Sequence, residues 1–184
     1  MALSLSEMAV LLRLALQNRD VRAMRKINDR CIKETAMRFS RPAYNFALIS
    51  YVLGKMLSKP RYISQKKVSE SFSAICHLFL SCEKAAHFMD GSQLLSQQER
   101  ILFAIERIDE QDQRFAKSII TKGRLKMAST LYAQGISLGS AVQMSGTDKR
   151  ELLSYAGQTM MFDRIIEKKS MQQRMREIRE IFSE

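Results

Sequence analysis

Tryptophan is absent from this chain of 184 residues, and glycine and proline are scarce, at seven and two. With so few breakers and almost no alternating β-branched runs, strands have little to start from and helices little to stop them. The sequence therefore predicts an all-α fold. Cysteine and histidine are scarce as well. Cys31, Cys76 and Cys82 are an odd number at spacings that match no zinc knuckle, and the histidines are His77 and His87 alone. The expectation is free thiols in a reducing compartment, with no structural metal and no cofactor. Cys76 and Cys82, six apart, point in different directions on a helix and read as small core residues. No run of about 18 apolar residues could span a bilayer, and residues 1–20 lack the basic start and cleavage site of a signal peptide. A cytoplasmic protein without a membrane partner is expected. The chain also has no Walker loop, no dinucleotide-binding glycine pattern and no nucleophile elbow.

What the chain has in excess is positive charge. Lysine and arginine number 30 against 19 acidic residues, a formal net charge of +11. A field of that sign favours polyanionic partners, with nucleic acid first among them. At this length roughly two-thirds of the unfolded surface can be buried, so a core of ordinary size needs no staples.

Hydrophobic periodicity divides the chain into helices. The first is capped by Ser4, with Glu7 completing a capping box and Leu5, Met8, Leu12 and Leu16 forming one stripe. A second spans about 20–38, and a third runs from Pro42, at a first-turn position, to about 58. The third is apolar on more than one face, which predicts a central helix wrapped by the others. A fourth starts near 64, with Val68, Phe72, Ile75, Phe79, Cys82 and Ala86 inward. A fifth starts at Ser92 or Ser96, with Leu95, Ile101, Leu102, Ile105 and Ile108 inward, and continues past Phe115 and Ile119 to about 122. Residues 107–114 are nearly devoid of large apolar side chains and mark either a boundary or the exposed middle of that long helix. A last amphipathic helix spans 164–182, with Ile165, Met171, Met175, Ile178 and Phe182 on one side. The expected organisation is an N-terminal helical bundle over 1–110 that offers a dimer or partner surface, a trihelical region over 111–160, and a C-terminal helix over 161–184.

The segment 122–157 carries most of the functional information. One helical pattern stops at Gly135, a second opens at Ser137 and stops at Gly146, and a third opens at Thr147 and stops at Gly157. Three short helices joined by tight turns are what a helix-turn-helix needs. Leu131 and Tyr132 would support it, with Leu138, Ala141, Val142 and Met144 on the second helix and Leu152, Leu153 and Tyr155 anchoring the third. In such a unit the third helix enters the major groove with its first turns at the base edges. Thr147, Lys149, Arg150 and Ser154 then become candidate nucleic-acid contacts, Lys149 and Arg150 through guanine acceptors or phosphates. Ser137 caps a helix whose N-terminal amides can meet a phosphate, and Lys122, Arg124 and Lys126 add charge nearby.

The stretch 131–155, LYAQGISLGSAVQMSGTDKRELLSY, resembles the helix-turn-helix of a family of small prokaryotic, often archaeal, antitoxin-like proteins. The likeness rests on Leu131, Tyr132, Gly135, Ser137, Leu138, Gly139, Ala141, Gly146, Glu151 and Leu152, and Arg150 stands where that family has a bulky aromatic. The resemblance implies double-stranded DNA binding and a regulator paired with another protein. It does not extend to the N-terminal half.

A second basic region runs from Arg13 to Arg41, with nine cations against three carboxylates. Arg19, Arg22, Lys26, Arg30 and Lys33 recur at three- and four-residue spacing and form either a phosphate-tracking stripe or a solvated face. The carboxylates Glu99, Glu106, Asp109, Glu110 and Asp112 lack the Glu-x-x-His partners of a di-metal bundle. They read as a charged face pairing with Arg100, Arg107 and Arg114. Glu83 and His87, one turn apart, lack a third ligand, and His77 reads as a core or boundary residue. Together these features predict a non-enzymatic, homodimeric DNA-binding protein acting in transcription regulation. The alternative is a module that uses the same trihelical unit on RNA or protein.

Overall fold

A computed structural model describes residues 3–38, 40–63, 66–110, 118–161 and 171–182. All its regular elements are helices: α1 (Leu5–Gln17), α2 (Val21–Arg38), α3 (Arg41–Leu57), the single turn α4 (Pro60–Ile63), α5 (Lys66–His87), α6 (Gly91–Glu110), α7 (Ile119–Ala133), α8 (Leu138–Ser145), α9 (Lys149–Gln158) and α10 (Met171–Phe182). The all-α expectation holds over these residues. None of the described helices is long and apolar enough to cross a membrane.

The capping box of α1 is formed as expected. The Glu7 amide donates to Ser4 Oγ at 3.1 Å and the Ser4 amide to Glu7 Oε2 at 2.8 Å. Asp20 opens α2 by accepting from the amides of Arg22 and Ala23. Helix α3 is central: every residue from Ala43 to Ser50 is buried, and α1, α2, α6, α7 and α8 all pack against it. A helix apolar on several faces can be accommodated only in such a position. Helices α1 and α5 pack together, and α5 turns back on itself into α6.

Three polar residues in this core, Asn28, Asn45 and Gln98, are partnered across helices. Asn28 Nδ2 donates to the Ala47 carbonyl at 2.7 Å, and Asn45 Nδ2 to Gln98 Oε1 at 3.1 Å. Gln98 Nε2 in turn reaches the Pro42 carbonyl at 2.9 Å. Such pairing is what makes buried amides tolerable.

Several sequence expectations need correction. The inward face of α6 is Leu94, Gln98, Ile101, Ile105 and Ile108, whereas Leu95 and Leu102 are half-buried. The buried amide Gln98 continues the stripe in a position where apolar patterning looks for a hydrophobe. The cap of α6 is Asp90, which accepts from the Gln93 amide, and neither Ser92 nor Ser96 takes that role. The fifth helix does not reach residue 122, because Ser118 has extended backbone and caps a new helix by accepting from the Thr121 amide. Asp109 is not on a charged face. It is buried, accepts from the Tyr62 hydroxyl at 2.9 Å and from the Ile119 amide at 2.8 Å, and so pins the start of α7 to the end of α6. Arg100 donates to Gln97, while Asp112 and Arg114 lie outside the described residues. His77 is exposed, and Glu83 pairs with Arg13 across α1 and α5 at 3.6 Å. The three cysteines are buried and free, as expected, and burial pushes the thiols of Cys31 and Cys82 up to about 12.

Four helix ends share one device. After α1, α5, α7 and α9 a residue with left-handed backbone lets two consecutive amides turn back onto the last carbonyls, as Asp20 N to Ala15 O at 2.9 Å and Asp90 N to Ala85 O at 3.0 Å illustrate. Only the third of these positions is a glycine, Gly135. The others are Arg19, Met89 and Met160, with φ of 51°, 55° and 47°. Arg19 is therefore a turn residue rather than a member of the α2 stripe, and its guanidinium reaches Ser69 Oγ at 3.1 Å.

Candidate nucleic-acid interface

Helix α7 joins the central helix because one residue lets it approach. A Cβ at Gly123 would lie 2.9 Å from Leu48 Cδ1 and 3.0 Å from Val52 Cγ2. Ile119, Ile120, Met127 and Leu131 thereby enter the same apolar cluster as α1 to α6. Helices α8 and α9 pack on α7 and on each other, and α8 also touches α3. Their own core is small: Ala128, Ala141 and Leu152 are fully buried, with Tyr132, Ile136, Leu138 and Val142 around them.

Local chemistry then sets the ends of these helices. Ser137 Oγ accepts from the Ser140 amide at 3.1 Å, and Gly146, at φ 67°, closes α8 in the left-handed region. The Arg41 guanidinium, stacked over Tyr44 at 5.6 Å, donates to the Met144 carbonyl, a favourable place for a cation at a helix C-terminus. Helix α9 opens at Asp148 and not at Thr147. Asp148 accepts from the amides of Arg150 and Glu151 at 2.8 and 3.1 Å, and these two bonds, the Glu151 one first, hold its carboxyl below the usual aspartate range. Thr147 is half-buried, with its hydroxyl 2.7 Å from that of Ser145. The helix runs through Gly157 to Gln158, and the left-handed position beyond it is Met160. Ala156, not Leu153, is the second anchor of α9: Ala156 is buried and Leu153 is 43% exposed.

The candidate contacts fall into separate groups. Lys149, Arg150 and Ser154 lie together on the exposed face of α9, beside Leu153, and Ser137 is exposed at the start of α8. Lys122 and Arg124 are exposed on α7, two residues apart and so on different sides of it. Lys126 is half-buried, with Nζ 3.2 Å from Met161 Sδ, and lines a cleft with Arg25 and Lys55. Arg22, Lys26, Arg30 and Lys33 are all exposed along α2. Sequence spacing had no means of joining Arg25, Lys55 and Lys126, which come from three different helices.

Tyr51 of α3 is half-buried and lines the same cleft. Burial first, and the neighbouring Tyr155 of α9 second, push its phenol up. No three histidine, cysteine, aspartate or glutamate side chains gather as metal ligands among the described residues. The class that the fold defines is all-α. Set against models of protein families, curated proteins and solved structures, the chain matches none.

Proposed function

We infer that the chain is a non-enzymatic DNA-binding protein in which α7, α8 and α9 act as a helix-turn-helix and α9 is the recognition helix. The observation that carries this reading is the exposed face of α9, with Lys149 and Arg150 in its first turn and Ser154 one turn later. A major-groove helix needs this order, with cationic donors at its N-terminal end and its opposite face anchored, here by Leu152 and Ala156. Asp148 already occupies the amides that open α9, so contacts from this helix come from side chains. At the start of α8 the neutral cap Ser137 takes the Ser140 amide alone, which leaves the amides of Leu138 and Gly139 for a phosphate. The net charge of +11 supports the same reading, and the cations of α2 add a second phosphate-tracking surface.

The role is that of a transcriptional or antitoxin-like regulator, and it works as a homodimer. One recognition helix covers few base pairs, and a second copy supplies the other half-site. Met171, Met175 and Ile178, spaced four and three apart on α10, are exposed and suit that contact.

The test is fluorescence anisotropy of the full chain with a random-sequence duplex and with a structured RNA at two salt concentrations, for the natural sequence and Lys149→Ala/Arg150→Ala. Duplex affinity should fall with salt by roughly 0.9 log unit per phosphate contact per log unit of salt, and fall again in the double variant. Absence of duplex binding, or equal affinity of the variant, refutes the reading; RNA binding alone moves the function to RNA.

A further inference from the structure

Arg41 opens α3 beside the turn that leads from α8 into α9. Its exposed guanidinium lies over the Tyr44 ring at 5.6 Å and donates to the Met144 carbonyl in the last turn of α8. Arg124 of α7, also exposed, is the second cation beside this tyrosine. Gly123, its neighbour, brings α7 against Leu48, one turn after Tyr44. Burial pushes the Tyr44 phenol up, and the cations of Arg124 and then Arg41 oppose it. The Tyr44 hydroxyl is buried and makes no hydrogen bond, so it takes up no donor of either guanidinium. Neither arginine pairs with a carboxylate among the described residues. The first turn of α3 adds to the same field, since it holds no carboxylate and Ser40 gives it no side-chain cap.

A guanidinium carries its N–H donors in a planar fork and accepts nothing. Apart from the bond to Met144, the donors of Arg41 and Arg124 are open to an outside acceptor, and two such forks beside one tyrosine fit an oxyanion. The turn next to them opens the helix that holds Lys149 and Arg150 in its first turn. Contacts to the DNA backbone at such a place fix the register of a recognition helix without reading sequence. We propose that Arg41 and Arg124 together hold a phosphate of the DNA backbone, so that α3 and α7 grip the strand beside the groove that α9 enters. Tyr44 is a positioning residue whose ring carries Arg41. The inference rests on the reading of α9 as the DNA-facing helix and gives the N-terminal half a direct share in that binding.

The experiment measures duplex affinity of the full chain by fluorescence anisotropy across a salt series, on two unrelated duplex sequences, for the natural sequence, Arg41→Gln, Arg124→Gln and the two together. Each single substitution should weaken binding about threefold or more on both sequences, and the pair should lower the salt slope by about 0.9, the share of one phosphate. A purely structural role of Arg41 at the Met144 carbonyl would lower affinity at every salt concentration and leave the slope as it was. Thermal unfolding shows whether Arg41→Gln disturbs α8; if it does, Arg124→Gln carries the test through its own slope. The inference is overturned if the substitutions keep the natural slope, or if the loss is confined to one sequence. Duplex binding that is lost in Lys149→Ala/Arg150→Ala yet keeps its slope without Arg41 and Arg124 defeats this inference alone. No duplex binding by the natural sequence defeats the proposed function and this inference with it.

Discussion

The bundle around α3 and the pair α8–α9 are held together by different means. Around α3 the bulk is large side chains, with Tyr44, Phe46, Phe79, Met8, Leu12 and Met24 essentially inaccessible, and buried amides paired across helices. In α8–α9 the buried cluster is two alanines and one leucine, one alanine being on α7. There the helix ends carry more of the order: Ser137, Asp148, the left-handed Gly146, and the tie from Arg41 to the Met144 carbonyl. A region with so small a core has less buried surface to hold it, and its local stability should lie at the low end of the molecule.

Substitutions that strike each region separately sharpen this contrast. Phe46→Ala should cost about 3–5 kcal/mol and lower amide-exchange protection throughout the chain. Leu152→Ala should cost about 2 kcal/mol, the low end for a buried leucine, and open residues 138–158 while α1 to α6 stay protected. Hydrogen exchange read by mass spectrometry separates the two patterns, and equal loss of protection everywhere in both variants would erase the distinction. Gly123→Val tests the joint between the regions. Its new methyls meet Leu48 and Val52, and the crowding should cost about 1–3 kcal/mol in a denaturant titration.

Acid should loosen the start of α9. The folded carboxyl of Asp148 lies below the usual aspartate range, so the unfolded chain takes up its proton first as pH falls. Its contribution is complete above about pH 4 and is lost as pH falls below that. Protection of α9 should decline there, and Asp148→Asn should flatten the decline; an unchanged profile in the variant would remove the cap from the account. The smallest expected effect is a gain. Met89 is 93% exposed with φ 55°, so Met89→Gly relieves left-handed strain without loss of packing and should raise stability by about 0.5–1 kcal/mol. A lower midpoint on thermal unfolding would contradict that.

Features that depend on neighbours along the chain were readable in advance. The capping box at Ser4 and Glu7, the buried run of α3, and the turn glycines Gly135 and Gly146 all follow from residues within a few positions of each other. The reading failed where a distant partner changed a residue's surroundings. Asp109 looked like one more surface carboxylate until Tyr62 and the Ile119 amide met it. Gln98 had no place in the apolar stripe of its helix, yet it is buried because Asn45 and the Pro42 carbonyl bond to it. Gly157 looked like a helix stop, yet the left-handed position went to Met160, for which the sequence carries no glycine signal.

By itself, then, the sequence determined the helical class, the positions of most helices and the excess of positive charge, because helix formation, capping and net charge are local or additive properties. Tertiary structure alone decided which faces meet. The close approach of α3 and α7 at Gly123, the burial of Asp109, and the gathering of Arg25, Lys55 and Lys126 around one cleft depend on contacts between distant segments. Such contacts are set by packing the whole core at once, which no window of neighbouring residues contains.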